Sequence, residues 1–291
     1  MKRYKDSAAL RRALEVRLKQ ESDDSGMDLG RLRRRVVFDR VAVRLAVAPG
    51  GGWVLKGGAA LEFRLLDRAR MTKDLDLAIR SNQSDGSEVR ESLIDALATD
   101  PDQDGFAFRV GAPMPLAVGQ EGRPAWRFSV EAWLAAKLFA IVRLDIAARP
   151  EELARTEFVE LPGTLSFAGV PPRSIEAVDR LQHFAEKLHA LTREYPDRSN
   201  TRIKDLADLV LLIETGLSAN RVLVNTVGHV FAMRDTHPVP VVIQDPPPAW
   251  EAGYPEIAAG LTNTRPDVIS ALALVRAFWS RALNSDYETD G

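Results

Sequence analysis

The feature that most constrains this chain is the stretch from Trp53 to Arg80, W-V-L-K-G-G-A-A-L-E-F-R-L-L-D-R-A-R-M-T-K-D-L-D-L-A-I-R. It opens with a short apolar strand at Val54 and Leu55, meets Gly57-Gly58, and continues in a helical pattern from Ala59 to Leu66. A second strand follows and carries Asp74 and Asp76. Alternate residues of a strand share a face, so these carboxylates project side by side while Leu75, Leu77 and Ile79 turn into a core. Two anions on one face raise each other's pKa unless a cation lies between them. Such an oxygen pair suits Mg²⁺, which is commonly held by one or two carboxylates together with substrate phosphates. Gly57-Gly58 between strand and helix permits a tight turn in which backbone N–H groups and a helix N-terminus face a phosphate. Either signal alone equally describes an ordinary turn or a surface strand. Their succession across one helix is the specific pattern.

The rest of the chain narrows the chemistry. With 291 residues, 45% of them apolar and 27% charged, the composition is that of a globular protein able to bury a sizeable core. The net charge of −2 gives no overall attraction to nucleic acid, so any such contact needs a local basic face. The absence of cysteine excludes disulfides, thiolate metal sites and a cysteine nucleophile. The four histidines, His183, His189, His229 and His237, form no H-E-x-x-H pair, which disfavours zinc catalysis. No apolar run approaches the roughly 20 residues of a membrane span. The charged start, M-K-R-Y-K-D, is not an apolar signal core. The expectation is a cytoplasmic protein with no membrane association.

In chain order, residues 1–48 read as two helices broken at Asp23-Asp24-Ser25-Gly26. The second carries Arg31, Arg33, Arg34, Arg35, Arg40 and Arg44, either a solvated face or a phosphate-contacting one. Pro49–Gly52 is loop, Glu88–Ala98 helix, and Phe106–Val110 strand. Trp126, Phe128 and Val130 alternate as a strand, and after a break near Leu134–Lys137 the run F-A-I-V-R-L-D-I-A places Asp145 in mid-strand. A lone carboxylate among β-branched and apolar residues opposes local preference, as functional residues often do. Phe158–Leu161 reads as an edge strand, and Pro171-Pro172 as a boundary. Beyond it the pattern predicts one long helix over Ile175–Arg193, a polar loop at Tyr195–Ser199, and a helix starting near Thr201 and capped by Asn200 or Thr201. An extended proline-rich segment, Pro238–Pro248, and helices around Glu256–Gly260 and Pro266–Leu283 complete the chain. The implied organisation is a core over 1–170 and a mainly helical domain over 171–291 that completes the active site.

Four elements line up in order: L-K-G-G-A-A-L, M-T-K-D-L-D-L, R-L-D-I, and A-E-K-L-H-A-L-T followed by R-I-K-D-L-A-D-L. Together they resemble the nucleotidyltransferase toxins of the AbiEii/MenT type, in the polymerase-beta-like superfamily, from type IV toxin–antitoxin and phage-defence systems. The resemblance implies an α+β fold, a nucleotidyltransferase-like mixed β-sheet core flanked by helices with an α-helical C-terminal domain. It implies that Asp74, Asp76 and Asp145 bind Mg²⁺ or Mn²⁺, and that Lys187 and Asp205 belong to the catalytic set. Lys56, Gly57, Gly58, Thr72, Lys187, Thr192, Arg202 and Asp208 are its implied nucleotide-binding residues, with Thr72 also a candidate for regulatory phosphorylation. Where the family often has an acidic residue in a Gly-Asp context after the third carboxylate, this chain reads A-A-R-P-E-E. The implied substrates are an NTP and an RNA acceptor such as the 3′ end of tRNA, and the implied partner is a cognate antitoxin. Acceptor contacts are expected on the Arg31–Arg44 helix. Transfer to a protein or small molecule, or an inactive nucleotide-binding protein, are the alternatives. A protein kinase is disfavoured by the lack of H-R-D and D-F-G.

Overall fold

The computed structural model describes residues 4–65, 68–70, 72–81, 83, 85–116, 124–194, 199–259, 261 and 265–285. Two helices open the chain, α1 (Ser7–Ser25) and α2 (Leu29–Val47). Asp6 caps α1 by accepting from the Ala9 N–H at 2.7 Å, and Gly26, at φ 72°, stops it. The first helix therefore runs through Asp23-Asp24 and breaks at the glycine. Leu10, Leu14 and Leu18, spaced by four, form its buried stripe.

The expected strand–helix–strand follows as β1 (Trp53–Lys56), α3 (Gly57–Leu65) and β2 (Asp74–Ile79). Leu66, the expected last residue of that helix, lies outside the described residues. Next come α4 (Gly86–Ala98), β3 (Phe106–Val110), the two-residue β4 (Met114–Pro115), β5 (Ala125–Leu134), β6 (Lys137–Ala148), β7 (Thr156–Glu160) and β8 (Ser174–Val178). They build a sheet of order β3-β5-β6-β2-β1-β8-β7, with β4 paired to β5. β2 runs parallel to β6 and β1 to β8, while β1–β2, β3–β5 and β5–β6 are antiparallel. The break between β5 and β6 is a tight hairpin whose Ala135 and Ala136 both have positive φ, 51° and 54°, as a two-residue turn matched to strand twist requires. β7 is an edge strand, as expected at Phe158–Leu161, but it starts two residues earlier and ends at Glu160.

One expectation fails at the start of the long helix. Residues 174–178 are strand β8, and α5 (Arg180–Thr192) begins only after Asp179, whose side chain caps it by accepting from Gln182 N. Ile175, Ala177 and Val178 are buried; so short an apolar run fits either periodicity, and pairing with β1 decides it. After α5 come α6 (Ile203–Glu214), α7 (Arg221–Arg234), α8 (Trp250–Ala258) and α9 (Val268–Leu283). Helix α7 falls where the sequence pattern predicts no element. The N-cap of α6 is Arg202 rather than Asn200 or Thr201, and its side chain makes no capping bond; Asn200, two residues before it, accepts from the Arg202 N–H through Oδ1 at 2.8 Å. Most of the expected loop at Tyr195–Ser199 lies outside the described residues.

The architecture is α+β, a mixed sheet flanked by helices followed by a mainly helical region. By contacts the chain forms two compact units: Met1–Leu66 with Met71–Pro150 and Phe158–Ala177, and Asp67–Arg70 with Glu151–Glu157 and Val178–Gly291. In the first, Leu75, Leu77, Phe128, Val130, Val142, Leu144 and Ile146 form the buried face of the sheet, onto which α2 packs. Burying each such side chain stabilises by about 1.5–3 kcal/mol. In the second, α5, α6, α7 and α9 close around Phe184, Leu209, Val230, Phe278 and Trp279. Among the described residues no helix is long and apolar enough to cross a membrane.

Candidate active site

The sheet of the first unit has one buried face, so its alternate residues meet on the other. Register brings them together. The β2–β6 ladder sets Asp76 opposite Asp145 and Asp74 opposite Arg143, and the β5–β6 ladder sets Arg127 opposite Asp145. Three carboxylates and two guanidinium groups thus share one patch of three adjacent strands. Neighbouring Leu75, Leu77, Leu144 and Ile146 point the other way and are at most 1% exposed. Core burial fixes the register here, because a one-residue slip of any strand would invert its faces.

Arg127 is the centre of the patch. Its Nε and Nη2 donate to the two Asp145 oxygens at 2.7 and 2.6 Å, and Nη2 lies 3.9 Å from Asp74 Oδ2. The hydrogen bond to Asp145 holds its pKa well above the ordinary arginine value; partial burial works against this, and the charges of Asp145, Asp74 and Asp76 add to it. Arg143 Nε lies 3.0 Å from Asp74 Oδ1 but off the line of a hydrogen bond, so this buried oxygen has an ion-pair neighbour and no hydrogen bond.

Asp76 sits against the glycine turn. Lys56 lies opposite it in the β1–β2 ladder, and Gly57 follows at φ 59°. A Cβ on Gly57 would stand 2.0 Å from Asp76 Oδ2. Only glycine accepts both the positive φ and this approach. Helix α3 starts at Gly57-Gly58, so its positive end lies beside the Asp76 carboxylate. Thr72 enters from the connection: its Oγ1 donates to the Asp74 carbonyl at 3.0 Å, and its N–H donates to Oε2 of the buried Glu62 at 3.0 Å.

An all-oxygen donor set and an un-hydrogen-bonded Asp74 oxygen suit a hard divalent cation. Among the described residues, however, no three acidic or imidazole side chains converge as a metal cage. Asp145 is turned to Arg127 instead.

The second unit holds Lys187, Thr192, Arg202, Asp205 and Asp208. Lys187 Nζ lies 2.7 Å from Asp205 Oδ1 and 2.9 Å from Asp208 Oδ2, and Arg70 grips Asp208 through two hydrogen bonds of 2.8 and 2.7 Å. The spacing of three puts both aspartates on one side of α6. Asp208 is fully buried. Burial would raise its pKa, but Lys187 and Arg70 outweigh this and hold it at about 2. Burial would likewise lower Lys187, and the two aspartates reverse that and hold the ammonium above its ordinary value. Arg70 is absent from the sequence-derived set; two carboxylates on one buried helix face with only one lysine were the signal that a second cation was needed. Thr192 Oγ1 donates to the Leu188 carbonyl and meets His237 Nε2 at 2.9 Å, at one end of a chain that runs through Thr236 to His189. Arg202 is exposed at the start of α6.

The arginine helix departs from expectation. Arg40 and Arg44 are fully buried. Arg40 bonds Asp39 and Asp102, while Arg44 holds Asp104 at 2.9 and 2.8 Å and donates to the Phe106 carbonyl. Burial lowers the Arg40 pKa, and Asp39, Asp104 and Asp102 more than restore it. Arg33 and Arg35 pair with Glu15 and Glu21 of α1. Arg40 and Arg44 thus spend their charge inside the first unit and Arg33 and Arg35 pair with α1, while Arg31 remains exposed.

The strand–Gly-Gly–helix turn thus sets a helix N-terminus beside carboxylates carried on adjacent strands. The chain belongs to the family of AbiEii nucleotidyl transferase toxins of type IV toxin–antitoxin systems, whose model matches residues 42–282. No curated protein matches it significantly in sequence. Among solved structures, JHP933 from Helicobacter pylori is 13% identical, with 89% of this chain and 94% of that one covered at a TM-score of 0.49. A candidate nucleotidyltransferase from H. pylori is 12% identical, with 91% and 100% covered at the same score. These two likenesses are too loose to carry an argument about chemistry.

Proposed function

We propose that this chain is a toxin that transfers a nucleoside monophosphate from an NTP to an RNA acceptor, the 3′ end of tRNA, and thereby blocks translation in the cytoplasm. The observation that carries the reading is the charge-rich sheet face, where three carboxylates on adjacent strands adjoin a glycine-started helix. Asp74, Asp76 and Asp145 would hold Mg²⁺ or Mn²⁺, which supplies stabilisation of the attacking and leaving oxygens in an in-line displacement at the α-phosphate. Gly57 and Gly58 would present a helix N-terminus to phosphate oxygens, with Lys56 immediately before the turn and Thr72 contributing from the connection that leads into β2. Lys187 is the cation assigned to the triphosphate, and Asp205 and Asp208 hold its ammonium charged and in one place. Phosphate on Thr72 would add about −1.5 to −2 charges beside Asp74 and remove the hydroxyl donor to its carbonyl. An antitoxin acting through this residue would silence the toxin without touching the carboxylates.

The test is incubation with total tRNA, Mg²⁺ and each labelled NTP in turn, beside Asp74→Ala. Label on tRNA from one or two nucleotides, lost in the variant, is the expected result. Label on protein or on an added small molecule instead would move the acceptor and keep the chemistry. Transfer unaffected by Asp74→Ala would overturn the site. Binding to tRNA should also weaken steeply with salt.

A further inference from the structure

The carboxylate patch contains its own cation, and the cation is in the way. Arg127 takes both oxygens of Asp145 and stands 3.9 Å from Asp74, with its charge also acting on Asp76. It comes from β5, outside every motif that supplies the carboxylates, and the β5–β6 register aims it at Asp145. A guanidinium engaged in this way does for the free protein what a divalent ion does for the loaded one: it compensates three like charges on one face. It also leaves Asp145 no oxygen free of a guanidinium. A guanidinium fork fits a phosphate as well as it fits a carboxylate.

We propose that Arg127 is an exchange residue: it occupies Asp145 in the free protein, and when an NTP arrives it transfers its two hydrogen bonds to the triphosphate, freeing Asp145 for the metal. The inference rests on the proposed nucleotidyl transfer and deepens it. Phosphate would draw Arg127 away from Asp145, and Asp74, Asp76 and Asp145, then without that guanidinium, would hold a divalent cation more tightly, so metal and nucleotide binding would reinforce each other. Arg143, half-exposed and misaligned on Asp74, has no comparable hold on its carboxylate and serves as the internal control.

The experiment measures Mn²⁺ affinity by calorimetry or spin resonance, with and without a non-reactive NTP analogue, for wild type, Arg127→Gln, Arg127→Lys and Arg143→Gln. The expected result is that Arg127→Gln binds Mn²⁺ alone at least about tenfold more tightly than wild type, the scale of losing one like charge about 4 Å away in a partly solvated site. The analogue should tighten Mn²⁺ binding in wild type and do so much less in Arg127→Gln. Arg127→Lys, which keeps the charge but not the fork, should fall between them, and it remains informative if the glutamine variant folds poorly. Arg143→Gln should resemble wild type. Unchanged or weaker Mn²⁺ binding in both Arg127 variants overturns the proposal. Asp76→Asn separates the two failures: if it abolishes Mn²⁺ binding while the Arg127 variants behave as wild type, only the exchange is wrong. If Mn²⁺ binding persists in Asp76→Asn, the metal reading of the patch is wrong as well.

Discussion

Two clusters of charge, one in each unit, are built on opposite terms. On the sheet, three carboxylates face two arginines; the patch is partly open, and one buried Asp74 oxygen lacks a hydrogen bond. In the helical unit two carboxylates face Lys187 and Arg70, almost wholly buried and joined by bonds of 2.7–2.9 Å. The second cluster is complete as it stands. The first is partly open and keeps one Asp74 oxygen without a hydrogen bond, so it has capacity to accept a ligand. An accessible, incompletely bonded cluster is where a ligand enters, and a fully bonded, dry one is what holds a side chain in position.

The comparison can be broken most directly by neutralising one carboxylate in each cluster. Asp76→Asn should cut transfer by at least about 10³-fold, the equivalent of about 4 kcal/mol in the transition state, with thermal stability equal to or above that of wild type. Asp208→Asn should cost about 3–5 kcal/mol of stability, because it leaves buried cations short of their partner. Melting curves of the two variants decide the matter, and a destabilised Asp76→Asn beside a stable Asp208→Asn would reverse the contrast.

Gly57→Ala sharpens it from the backbone side. A positive φ in a residue with a Cβ costs about 1–2 kcal/mol, and the methyl must also displace Asp76. Transfer should therefore fall further than the stability loss alone accounts for, as steady-state rates compared with denaturation midpoints would show.

A smaller effect distinguishes the units by pH. His189 is pushed down to about 3, first by burial and then by Arg234 and His237. Its folded value lies below the unfolded one of about 6.5, so the unfolded chain binds more protons between these limits. Stability from the neutral imidazole is present above about pH 6.5 and is lost as pH falls toward 3, on the order of 2 kcal/mol by pH 5. Denaturation midpoints at pH 7.5 and 5 should differ in wild type and differ less in His189→Gln. Arg143→Gln, at the exposed rim of the sheet patch, should change stability by under about 1 kcal/mol.

Much of this was legible in the chain because it depends on near neighbours. The D-x-D alternation, the glycine pair and Asp145 in an apolar strand each follow from a period of two or from the conformational freedom of a missing Cβ, and the structure puts all three carboxylates on one face. Strand β8 was not legible, since a short apolar run between prolines and a helix carries no periodicity of its own. Arg40 and Arg44 of α2 were misread for a related reason: charge along a helix suggests solvent, and Asp39 together with the distant Asp102 and Asp104 makes burial tolerable. Arg127 and Arg70 escaped notice because each lies far in sequence from the aspartate it serves.

The sequence by itself determined most of the elements, the family and the face-sharing of Asp74 and Asp76, since these rest on local periodicity and on motifs read in order. Tertiary structure alone decided which cations answer them. Ion pairing depends on a few ångströms of separation and on the local exclusion of water, and strand register and helix packing set both between residues far apart in the chain.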